Sequence, residues 1–585
     1  MPRKKESQPN WYEGEFPAES YRALFKWGNP YVYKHPNQGL VGLMEETFGF
    51  QMQDLSSPHN LGLETVDIQA PVRLSETQLD ALRRIVGIEN VSTDTFARLR
   101  ASYGKGMIDL LRLRSKIHEN LPDAVVSPRS TAEVQVLVGW CDQERVPLYI
   151  FGAGSSVTRG MEAVRGGITL DMSTYMKHVI SFSEIDQTIT VEPGLAGPEL
   201  EELLNHAPEK LGAKRRYTCG HFPQSFEYSS VGGWVVTRGA GQNSTYYGKI
   251  EDIVIAQEMV TPSGILCTAK QPRSATGPDV DQILMGSEGA FGVLTQVTLK
   301  VFRWMPQNRQ RFTYFFKSWD DALDACREVM QSESGNPSVF RLSDPEETDV
   351  ALHMYHIHGT AADSALQMLG YKPMQRCMLL GFADGEHGFA RNVDRAIRRV
   401  ARQYHAIDLS WLPITRMWEK SRFQDPYMRE DLQDFGILTD TLECAVTWSQ
   451  MREVHARVRG FIKSHPHTIC MTHLSHAYSQ GGNLYFIFIA RMERIDEYLA
   501  LQYGILDAIQ KSGAAMSHHH GLGKQTAPWL EESVGRETVD LFRAIKQHLD
   551  PNGIMNPGGT LGLDLSPEQR AKRWGMRQRI VAKES

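Results

Sequence analysis

Apolar positions recur along the chain at two spacings, one typical of helices and one typical of strands. A helical stripe begins after Ser130 and Glu133, which together predict a capping box. Pro198 predicts the first turn of a later helix. The pattern predicts helices over 79–86, 134–141 and 198–204, and strands over 147–151, 168–172, 179–182, 188–191, 377–382 and 484–489.

These elements predict an α+β fold divided into four segments. Residues 1–120 form a helical region, and residues 121–305 form a glycine-rich segment in which strands and helices mix. A second α+β segment with fewer glycines follows over 306–505, and 506–585 is mainly helical around one His-rich loop. The length of 585 residues accommodates several domains.

Composition narrows the class of protein. Hydrophobic residues make up 41% and charged residues 23%, as in an ordinary globular chain. The net charge is -6 and the sequence has no long basic block outside its termini, so we expect no nucleic-acid partner. Seven scattered cysteines predict free thiols in a reducing compartment. The sequence has no secretory h-region and no run of about 18 apolar residues, so we expect a cytoplasmic protein.

Glycine and hydroxyl residues cluster in loops between 152 and 293. Gly152-Ala-Gly154 follows a predicted strand, but a Rossmann fingerprint fails because residue 157 is Val and the next segment is a strand. Taken alone, the loop is equally consistent with a surface turn. Further Gly/Ser loops occur at 224–242 and 286–292, and the exposed N–H groups of such loops bind anionic oxygens. Together the loops predict a pyrophosphate site.

The loops resemble those of the vanillyl-alcohol-oxidase family, in which a Glu-Pro-Gly-x-x-Gly loop, here residues 192–197, also lies beside the flavin. The resemblance implies a PCMH-type FAD-binding domain of two subdomains over 121–305, an α+β cap domain for the substrate over 306–505, and helical N- and C-terminal regions. It implies noncovalent FAD, because no histidine stands where covalent attachment is usual. The implied FAD contacts are Phe151, Gly152, Ala153, Gly154, Ser155, Ser156, Gln224, Ser229, Ser230, Thr237, Arg238, Gly239, Ala240, Glu288, Gly289, Gly292 and Val293.

Residue types separate two branches of this family. Relatives that oxidise 2-hydroxy acids carry His-x-Gly-Asp-Gly-Asn-x-His and a later Glu-His-Gly, whose side chains bind a divalent metal or the substrate carboxylate. The matching positions here are Tyr478, Tyr485 and His519. A phenol with a pKa of about 10 is a poor metal ligand at neutral pH, so the sequence predicts no metal site.

The pattern is similar instead to the alkyldihydroxyacetonephosphate synthase family, whose Ser-x-Ser-His-His-His-Gly-x-Gly-Lys signature resembles residues 515–524. The resemblance implies that the acyl group of acyl-dihydroxyacetone phosphate is exchanged for a long-chain fatty alcohol, which forms an ether without net redox change. Tyr485, His519 and His520 are the implied catalytic residues, and the histidines are expected to lower the pKa of Tyr485 or to shuttle protons. Arg429 is the implied phosphate ligand.

Several further expectations accompany this resemblance. It implies a homodimer, and the basic amphipathic tail over 570–581 predicts a peripheral contact with an anionic membrane. Both catalytic histidines reach one site only if their loop is kinked, which the following glycines permit. The chain departs from the family at Ala515, in an insertion-like segment over 210–216, and at His473, where the family has an arginine.

The residues leave other interpretations open. Arg429 beside two acidic residues is also typical of a salt-bridged helix surface, Tyr485 of a core strand, and the histidines of a solvated loop. Two other functions remain alternatives to the synthase. One is an FAD-dependent oxidase or dehydrogenase of a hydroxy compound, and the other is a flavin-binding scaffold.

Overall fold

The computed structural model describes residues 16–68, 70–492, 494–558 and 560–564. Its strands are β1 Val91–Ser92, β2 Ala124–Val126, β3 Leu148–Phe151, β4 Ile168–Asp171, β5 Val179–Ser183, β6 Thr188–Val191, β7 Tyr217–Thr218, β8 Val254–Thr261, β9 Gly264–Cys267, β10 Val293–Lys300, β11 Phe302–Arg303, β12 Gln310–Phe316, β13 Val339–Ser343, β14 Cys377–Ala383, β15 Ile407–Asp408, β16 Ile437–Thr447, β17 Thr468–Ser475 and β18 Gly481–Arg491.

The α-helices are α1 Tyr21–Phe25, α2 Gln38–Phe48, α3 Glu76–Val86, α4 Thr95–Arg100, α5 Met107–Arg114, α6 Thr131–Glu144, α7 Gly197–Asn205, α8 Ala207–Leu211, α9 Val231–Val236, α10 Ser244–Tyr247, α11 Ile250–Ile253, α12 Val280–Leu284, α13 Trp319–Gln331, α14 Pro345–Met354, α15 Ala361–Met368, α16 His387–Gln403, α17 Ile414–Ser421, α18 Asp425–Gln433, α19 Met451–Ser464, α20 Ile495–Lys511, α21 Gly523–Thr526, α22 Leu530–Val534 and α23 Arg536–Leu549. Short 3-10 helices lie at Met52–Ser56, Ile88–Asn90, Phe226–Tyr228, Pro306–Asn308, Ala527–Trp529 and Thr560–Gly562.

The chain forms two compact units. Unit 1 consists of the described parts of Met1–Thr65, Gln242–Tyr246 and Met305–Ala515. Unit 2 consists of the described parts of Val66–Gly241, Tyr247–Trp304 and Met516–Ser585. This division differs from the four predicted segments, because the N-terminal region is shared between the units. The segments were defined by motif and expected role, and they remain a prediction.

Unit 2 contains two sheets that carry the glycine loops. In the first, with strand order β1-β2-β4-β3, strands β2, β4 and β3 run parallel. The second is antiparallel, with order β5-β6-β10-β8-β9. Helix α6 packs its apolar stripe, including Val134 and Leu137, into a core shared with β3 and β4. Ser130 caps this helix as predicted, but Glu133 accepts from the N–H of Arg129 rather than completing the capping box.

Unit 1 is built on a seven-stranded antiparallel sheet with order β15-β12-β14-β13-β17-β18-β16. Two apolar clusters form its core. One joins α2 to strand residues such as Ile469 and Ile489, and the other joins β14 to Leu352 and Trp418. The segment Gln242–Tyr246 belongs here because Ser244 bonds to His476 at 2.7 Å.

The predicted α+β character is confirmed, as are the strands at 147–151, 377–382 and 484–489, although the last is longer than predicted. All seven cysteines are free thiols, and Cys267 is the exposed member. None of the helices in the described ranges is long and apolar enough to cross a membrane. The basic tail over 570–581 lies outside the described residues.

Candidate active site

The first glycine loop of unit 2 begins where β3 ends, at the carboxyl edge of the parallel strands. A Cβ added to Gly152 would lie 2.5 Å from the Oγ of Ser230, so the loop approaches the second predicted loop as closely as a glycine allows. Gly154 has a φ of +73°, which also favours glycine. The ring of Phe151 packs in an apolar cluster with Val125 and Met161.

Backbone hydrogen bonds join the loop at 192–197 to the one at 229–234. The N–H of Gly197 donates to the carbonyl of Ser229 at 3.2 Å, and the N–H of Val231 donates to that of Leu195 at 2.9 Å. The loop at 286–292 joins the same assembly, because the N–H of Glu288 donates to Val236 at 3.0 Å. The structure therefore brings the four predicted loops together within one unit.

Asn556 connects two of these loops and was missed by the sequence reasoning. Its amide nitrogen donates to the carbonyl of Gly160 at 3.2 Å and to that of Glu288 at 2.8 Å. Lys524 donates to the same Gly160 carbonyl at 3.2 Å. An Asn-Pro-Gly turn at 556–558 was the available signal, since it predicts a fixed loop near the C-terminus.

Several predicted cofactor residues use their side chains within the protein. The hydroxyl of Ser229 accepts from the indole N–H of Trp234 at 2.7 Å, and the hydroxyl of Thr237 donates to a helix carbonyl at 2.8 Å. Arg238 pairs with Glu251 at 3.2 Å. These contacts shape the loops, and the donors they leave for a ligand are mainly backbone N–H groups.

The remaining predicted cofactor residues lie on the same loops. Gly292 allows β10 to begin beside β8, since a Cβ there would lie 2.6 Å from the carbonyl oxygen of Val260. Gly289 has a φ of +80°. The others are loop or strand-end positions of unit 2, namely Ala153, Ser155, Ser156, Gln224, Gly239, Ala240 and Val293.

The assembly fits a dinucleotide pyrophosphate. Glycines with no room for a Cβ let these loops approach one another closely, and the backbone N–H groups of such loops bind phosphate without a lysine. The hydroxyl of Ser287 is buried without a hydrogen-bond partner among the described residues, and it is a donor available to a ligand. The donor chemistry is therefore that expected for FAD.

The His-rich loop is kinked, as predicted. Gly521 and Gly523 have φ values of +81° and +53°, and the rings of His519 and His520 lie 4.5 Å apart between centroids. The ring of His518 is 5.4 Å from that of His519. The turn brings all three imidazoles together, as an extended chain would not.

Two side chains from the FAD-type loops of unit 2 anchor this turn. The ammonium group of Lys249 donates to the carbonyl of His518 at 2.7 Å. The carboxylate of Glu288 accepts from the N–H groups of Leu522 at 2.8 Å and Gly523 at 3.0 Å. Burial raises the pKa of Glu288 to about 7, although these two hydrogen bonds favour its charged form. Glu288 thus links a predicted cofactor loop to the histidines.

A row of polar residues crosses one face of the unit 1 sheet. Glu443 of β16 lies opposite Tyr485 of β18, which lies opposite His473 of β17, which lies opposite Ser343 of β13. Directly paired residues of antiparallel strands share a face, so these four side chains form one row. We call Glu443, Tyr485, His473 and Ser343 the polar row.

Tyr485 is fixed within this row. Its hydroxyl donates to the hydroxyl of Thr441 at 3.0 Å, and its ring stacks on that of His473 with centroids 5.0 Å apart. Burial raises its pKa to about 12, which is opposite to one of the two roles expected for the histidines, the lowering of this pKa. Tyr485 is therefore a protonated donor at neutral pH. Tyr478 lies in the turn before β18, where its N–H donates to Gly481 at 2.7 Å.

Arg429 lies on α18 and is buried, not on a helix surface. Its guanidinium donates to the carboxylate of Glu430 at 2.9 Å. Arg429 is close enough to Tyr485 for its charge to lower the pKa of the phenol against the larger effect of burial. Unit 1 therefore brings together the predicted phosphate ligand and the predicted catalytic tyrosine.

His473 is held by a carboxylate that the sequence reasoning did not single out. Its Nδ1 lies 3.1 Å from Glu347, which also binds Arg341 at 2.5 Å. These two partners lower the pKa of Glu347 to about 2 against the effect of its burial, and burial lowers the pKa of His473. Glu347 is therefore ionised at neutral pH, and the Nδ1 of His473 faces its carboxylate.

Comparisons with known proteins identify relatives that bind FAD. Residues 122–270 match the family described as FAD binding domain, and 305–560 match FAD linked oxidases, C-terminal domain. An alkyldihydroxyacetonephosphate synthase of Dictyostelium discoideum is 29% identical over 85% of this chain and 82% of its own length. An uncharacterized FAD-linked oxidoreductase, YgcU, of Escherichia coli O157:H7 is 30% identical over 82% of this chain and 97% of its own.

A solved structure of alkyldihydroxyacetonephosphate synthase aligns with a TM-score of 0.77 and 24% identity, covering 92% of this chain and 99% of the other. The predicted combination of an FAD-binding domain and a second α+β domain is thereby confirmed, and so is FAD as the cofactor. The resemblance to alkyldihydroxyacetonephosphate synthases, drawn from the His triplet and the tyrosine positions, is confirmed as well.

Proposed function

The chain belongs to the family of FAD-linked oxidases, and we propose that it acts as an alkyldihydroxyacetonephosphate synthase. In this exchange the bond from the substrate carbon to the acyl oxygen breaks and a carboxylate leaves. The oxygen of a long-chain alcohol then bonds to that carbon and loses its proton. When bound, the flavin supplies a nucleophile for the substrate carbon between these two bond changes, with no net redox change.

The observation that carries this proposal is that Arg429 lies near enough to Tyr485 in unit 1 for its charge to act on the phenol. An arginine fork matches a dianionic phosphate, and a phenol with a pKa of about 12 donates a proton but does not bind a divalent metal. A hydroxy-acid site of the metal-dependent type needs histidine at the tyrosine positions. The residues present therefore support a phosphate-bearing substrate and acid catalysis.

We assign roles to the chain's residues as follows. Arg429 binds the substrate phosphate, and Tyr485 donates its proton to the leaving carboxylate oxygen. His519 and His520 accept the proton that the alcohol loses and return it to the phenolate of Tyr485, since an imidazole titrates near neutral pH. The glycine loops and Ser287 of unit 2 bind FAD, without a covalent link.

The test is incubation of the purified, FAD-loaded protein with palmitoyl-dihydroxyacetone phosphate and hexadecanol, followed by mass spectrometry. We expect hexadecyl-dihydroxyacetone phosphate and free palmitate in equal amounts. Palmitate without the ether, or no turnover by protein that retains its flavin, would count against the synthase. Arg429→Met and Tyr485→Phe are the matched variants for the two residues that carry the proposal.

A second candidate is an FAD-dependent oxidoreductase of a hydroxy compound, which the similarity to the FAD-linked oxidoreductase of E. coli favours. It predicts bleaching of the flavin absorbance by an alcohol or hydroxy acid and reduction of an artificial electron acceptor. The synthase requires neither change. Steady bleaching by such a substrate, with no ether formed, would select this candidate.

We also infer that the protein works as a cytoplasmic homodimer with a peripheral membrane contact. The resemblance supports the dimer, and two alkyl chains in the substrates favour work at a membrane surface. Light scattering of the purified protein tests the dimer. Flotation with anionic and neutral vesicles tests the contact, which we expect to be stronger with anionic lipid.

A further inference from the structure

We propose that residues 20–34 complete the phosphate-binding part of the site by fixing the guanidinium of Arg429. We call these residues the N-terminal arm. The inference rests on the proposed function, in which Arg429 binds the substrate phosphate. No chemistry was predicted for this arm, and its partners on α18 and at the C-cap of α18 are about 400 residues away along the chain.

Glu430 connects the arm directly to Arg429. One of its carboxylate oxygens accepts from the guanidinium of Arg429 at 2.9 Å, and the other accepts from the backbone N–H of Trp27. The Trp27 ring lies against the same guanidinium, 5.8 Å from its centre to the ring centroid. The guanidinium is therefore restrained by a carboxylate that the arm orients and by an aromatic ring of the arm.

Buried ion pairs fix the arm on α18. Asp431 pairs with Lys26 and, at 3.0 Å, with Arg22, and it also accepts from the N–H of Lys34 at 2.5 Å. Asp434 pairs with Arg22 at 3.1 Å. Arg22, Lys26, Asp431 and Asp434 are at most 1% exposed. The arm and the helix therefore share a charged, dehydrated interface.

The composition of this interface favours positioning over simple stability. Arg22, Lys26 and Arg429 balance Glu430, Asp431 and Asp434 in formal charge. Removing six charges from water costs free energy that their attraction only partly offsets, and apolar side chains would stabilise such an interface at least as well. What a charged network adds is one defined geometry, because each hydrogen bond fixes a direction.

The geometry matters because Arg429 is the phosphate ligand of the proposal. A guanidinium binds phosphate through two parallel N–H bonds only if its plane is correctly oriented. Glu430 also competes for the same donors, so its carboxylate must be held to one side. The backbone N–H of Trp27 does this by binding the other carboxylate oxygen. Trp27 and Glu430 are therefore positioning residues, which act through Arg429.

The test compares Trp27→Leu, Trp27→Phe, Glu430→Gln and Arg429→Met in the full-length, FAD-loaded protein. The readouts are the affinity for dihydroxyacetone phosphate by titration calorimetry, and KM for palmitoyl-dihydroxyacetone phosphate and for hexadecanol. Trp411→Leu is the matched control, because Trp411 belongs to unit 1 and is 79% exposed.

We expect Trp27→Leu and Glu430→Gln to weaken the affinity for dihydroxyacetone phosphate about 10-fold and to raise KM for the acyl substrate similarly. KM for hexadecanol and kcat should stay within about 3-fold of the original values. Trp27→Phe keeps an aromatic face over the guanidinium and should recover most of the affinity. A loss of folding alone would not separate the two substrates in this way.

The outcomes separate this inference from the proposed function. If Arg429→Met abolishes phosphate binding while Trp27→Leu and Glu430→Gln bind as the original protein does, the arm has no positioning role and the synthase stands. If Trp27→Phe is as weak as Trp27→Leu, the ring contact is overturned. If Arg429→Met binds dihydroxyacetone phosphate normally, both the phosphate assignment and this inference fail.

Discussion

The ring and the hydroxyl of Tyr485 make separate contacts, so one substitution can remove the hydroxyl and keep the ring. Its ring stacks on His473, while its hydroxyl makes a separate bond to Thr441. A phenylalanine would retain the first contact and lose the second. The substitution therefore isolates the proton that the proposed reaction requires.

We predict that Tyr485→Phe lowers kcat about 100-fold or more, because a positioned acid contributes at least that factor. KM for both substrates should change little, and unfolding free energy should fall by about 1 kcal/mol for the lost hydrogen bond. Tyr371→Phe is the control, since its hydroxyl donates to the carbonyl of His405 at 2.8 Å in the same unit. It should lose similar stability and no activity, and equal kcat values for the two variants would contradict the role of Tyr485.

Sequence reasoning reached Tyr485, Arg429 and the histidines but not Glu347 or Glu430. The former carry residue types and spacings typical of a family. Glu347 gains its importance only because β13 and β17 pair, which places it beside His473. The direction of the Tyr485 pKa was mistaken for the same reason, since burial on a sheet face is a tertiary property.

At the scale of elements, the glycine loop after β3 depends on contact with Ser230. We predict that Gly152→Ala lowers the FAD content of purified protein about 10-fold, because its Cβ would lie 2.5 Å from that hydroxyl. The measurement is the ratio of flavin to protein absorbance. Gly139→Ala is the control, since no atom lies within 4 Å of a Cβ added there on α6, and alanine suits a helix.

A double variant distinguishes this clash from lost ligands. In Gly152→Ala with Ser230→Ala, the nearest atom to the new methyl is the Ser230 Cβ position at 3.8 Å, an ordinary contact. We expect the double variant to recover much of the flavin content. Recovery should be incomplete, because loss of the Ser230 cap of α9 costs about 1 kcal/mol of stability. No recovery would mean that the glycine matters for another reason than the clash.

Glu288 makes the His loop sensitive to pH. Its folded pKa of about 7 lies above its ordinary value of 4.5, so its contribution to stability is complete below pH 4.5 and is lost as pH rises through 7. We predict that Glu288→Gln removes this loss, because an amide oxygen still accepts from Leu522 and Gly523 without becoming charged.

The measurement is unfolding free energy against pH for both proteins. Relative to Glu288→Gln, the unfolding free energy of the original protein should fall by up to roughly 3 kcal/mol between pH 5 and pH 8.5. Glu537→Gln, at an exposed position of α23, should show no such trend. Parallel curves for the original protein and Glu288→Gln would show that the carboxyl titrates normally.

The sequence predicts these elements better than it predicts their contacts. Periodicity located α6, β3 and β14, since spacing within an element is a local property. The meeting of four loops over about 140 residues of chain was inferred from a family resemblance, and the hydrogen bonds that join them are invisible in spacing alone. Asn556 was missed because its partners are about 270 and 400 residues away.

At the scale of the whole molecule, the chain crosses between two compact units several times. Residues 16–65 belong with 305–515, although 66–120 belong with the flavin loops. The buried pairing of Arg22 with Asp431 explains the first association, and the bond from Lys105 to the carbonyl of Ser156 contributes to the second. Neither pairing has a sequence signal, because neither a charged side chain nor a backbone N–H indicates its partner along the chain.

This organisation leads to a prediction about FAD. All of the implied FAD contacts lie in unit 2, so cofactor binding should stabilise that unit directly. At a free FAD concentration of about 100 times Kd, the gain is roughly 2.7 kcal/mol. Calorimetry of apo and FAD-loaded protein should therefore show one transition that moves upward with FAD, and Gly152→Ala should reduce the shift.

Limited proteolysis assigns that transition to a unit. Cleavage sites in 66–241 and 247–304 should become protected as FAD is added, whereas sites in 305–515 should change less, because protection follows the free energy of local opening. Equal protection of both sets would show that the cofactor stabilises the chain as one cooperative body. The apo protein with added adenosine diphosphate is the control for the pyrophosphate loops alone, and we expect it to give part of the protection in unit 2.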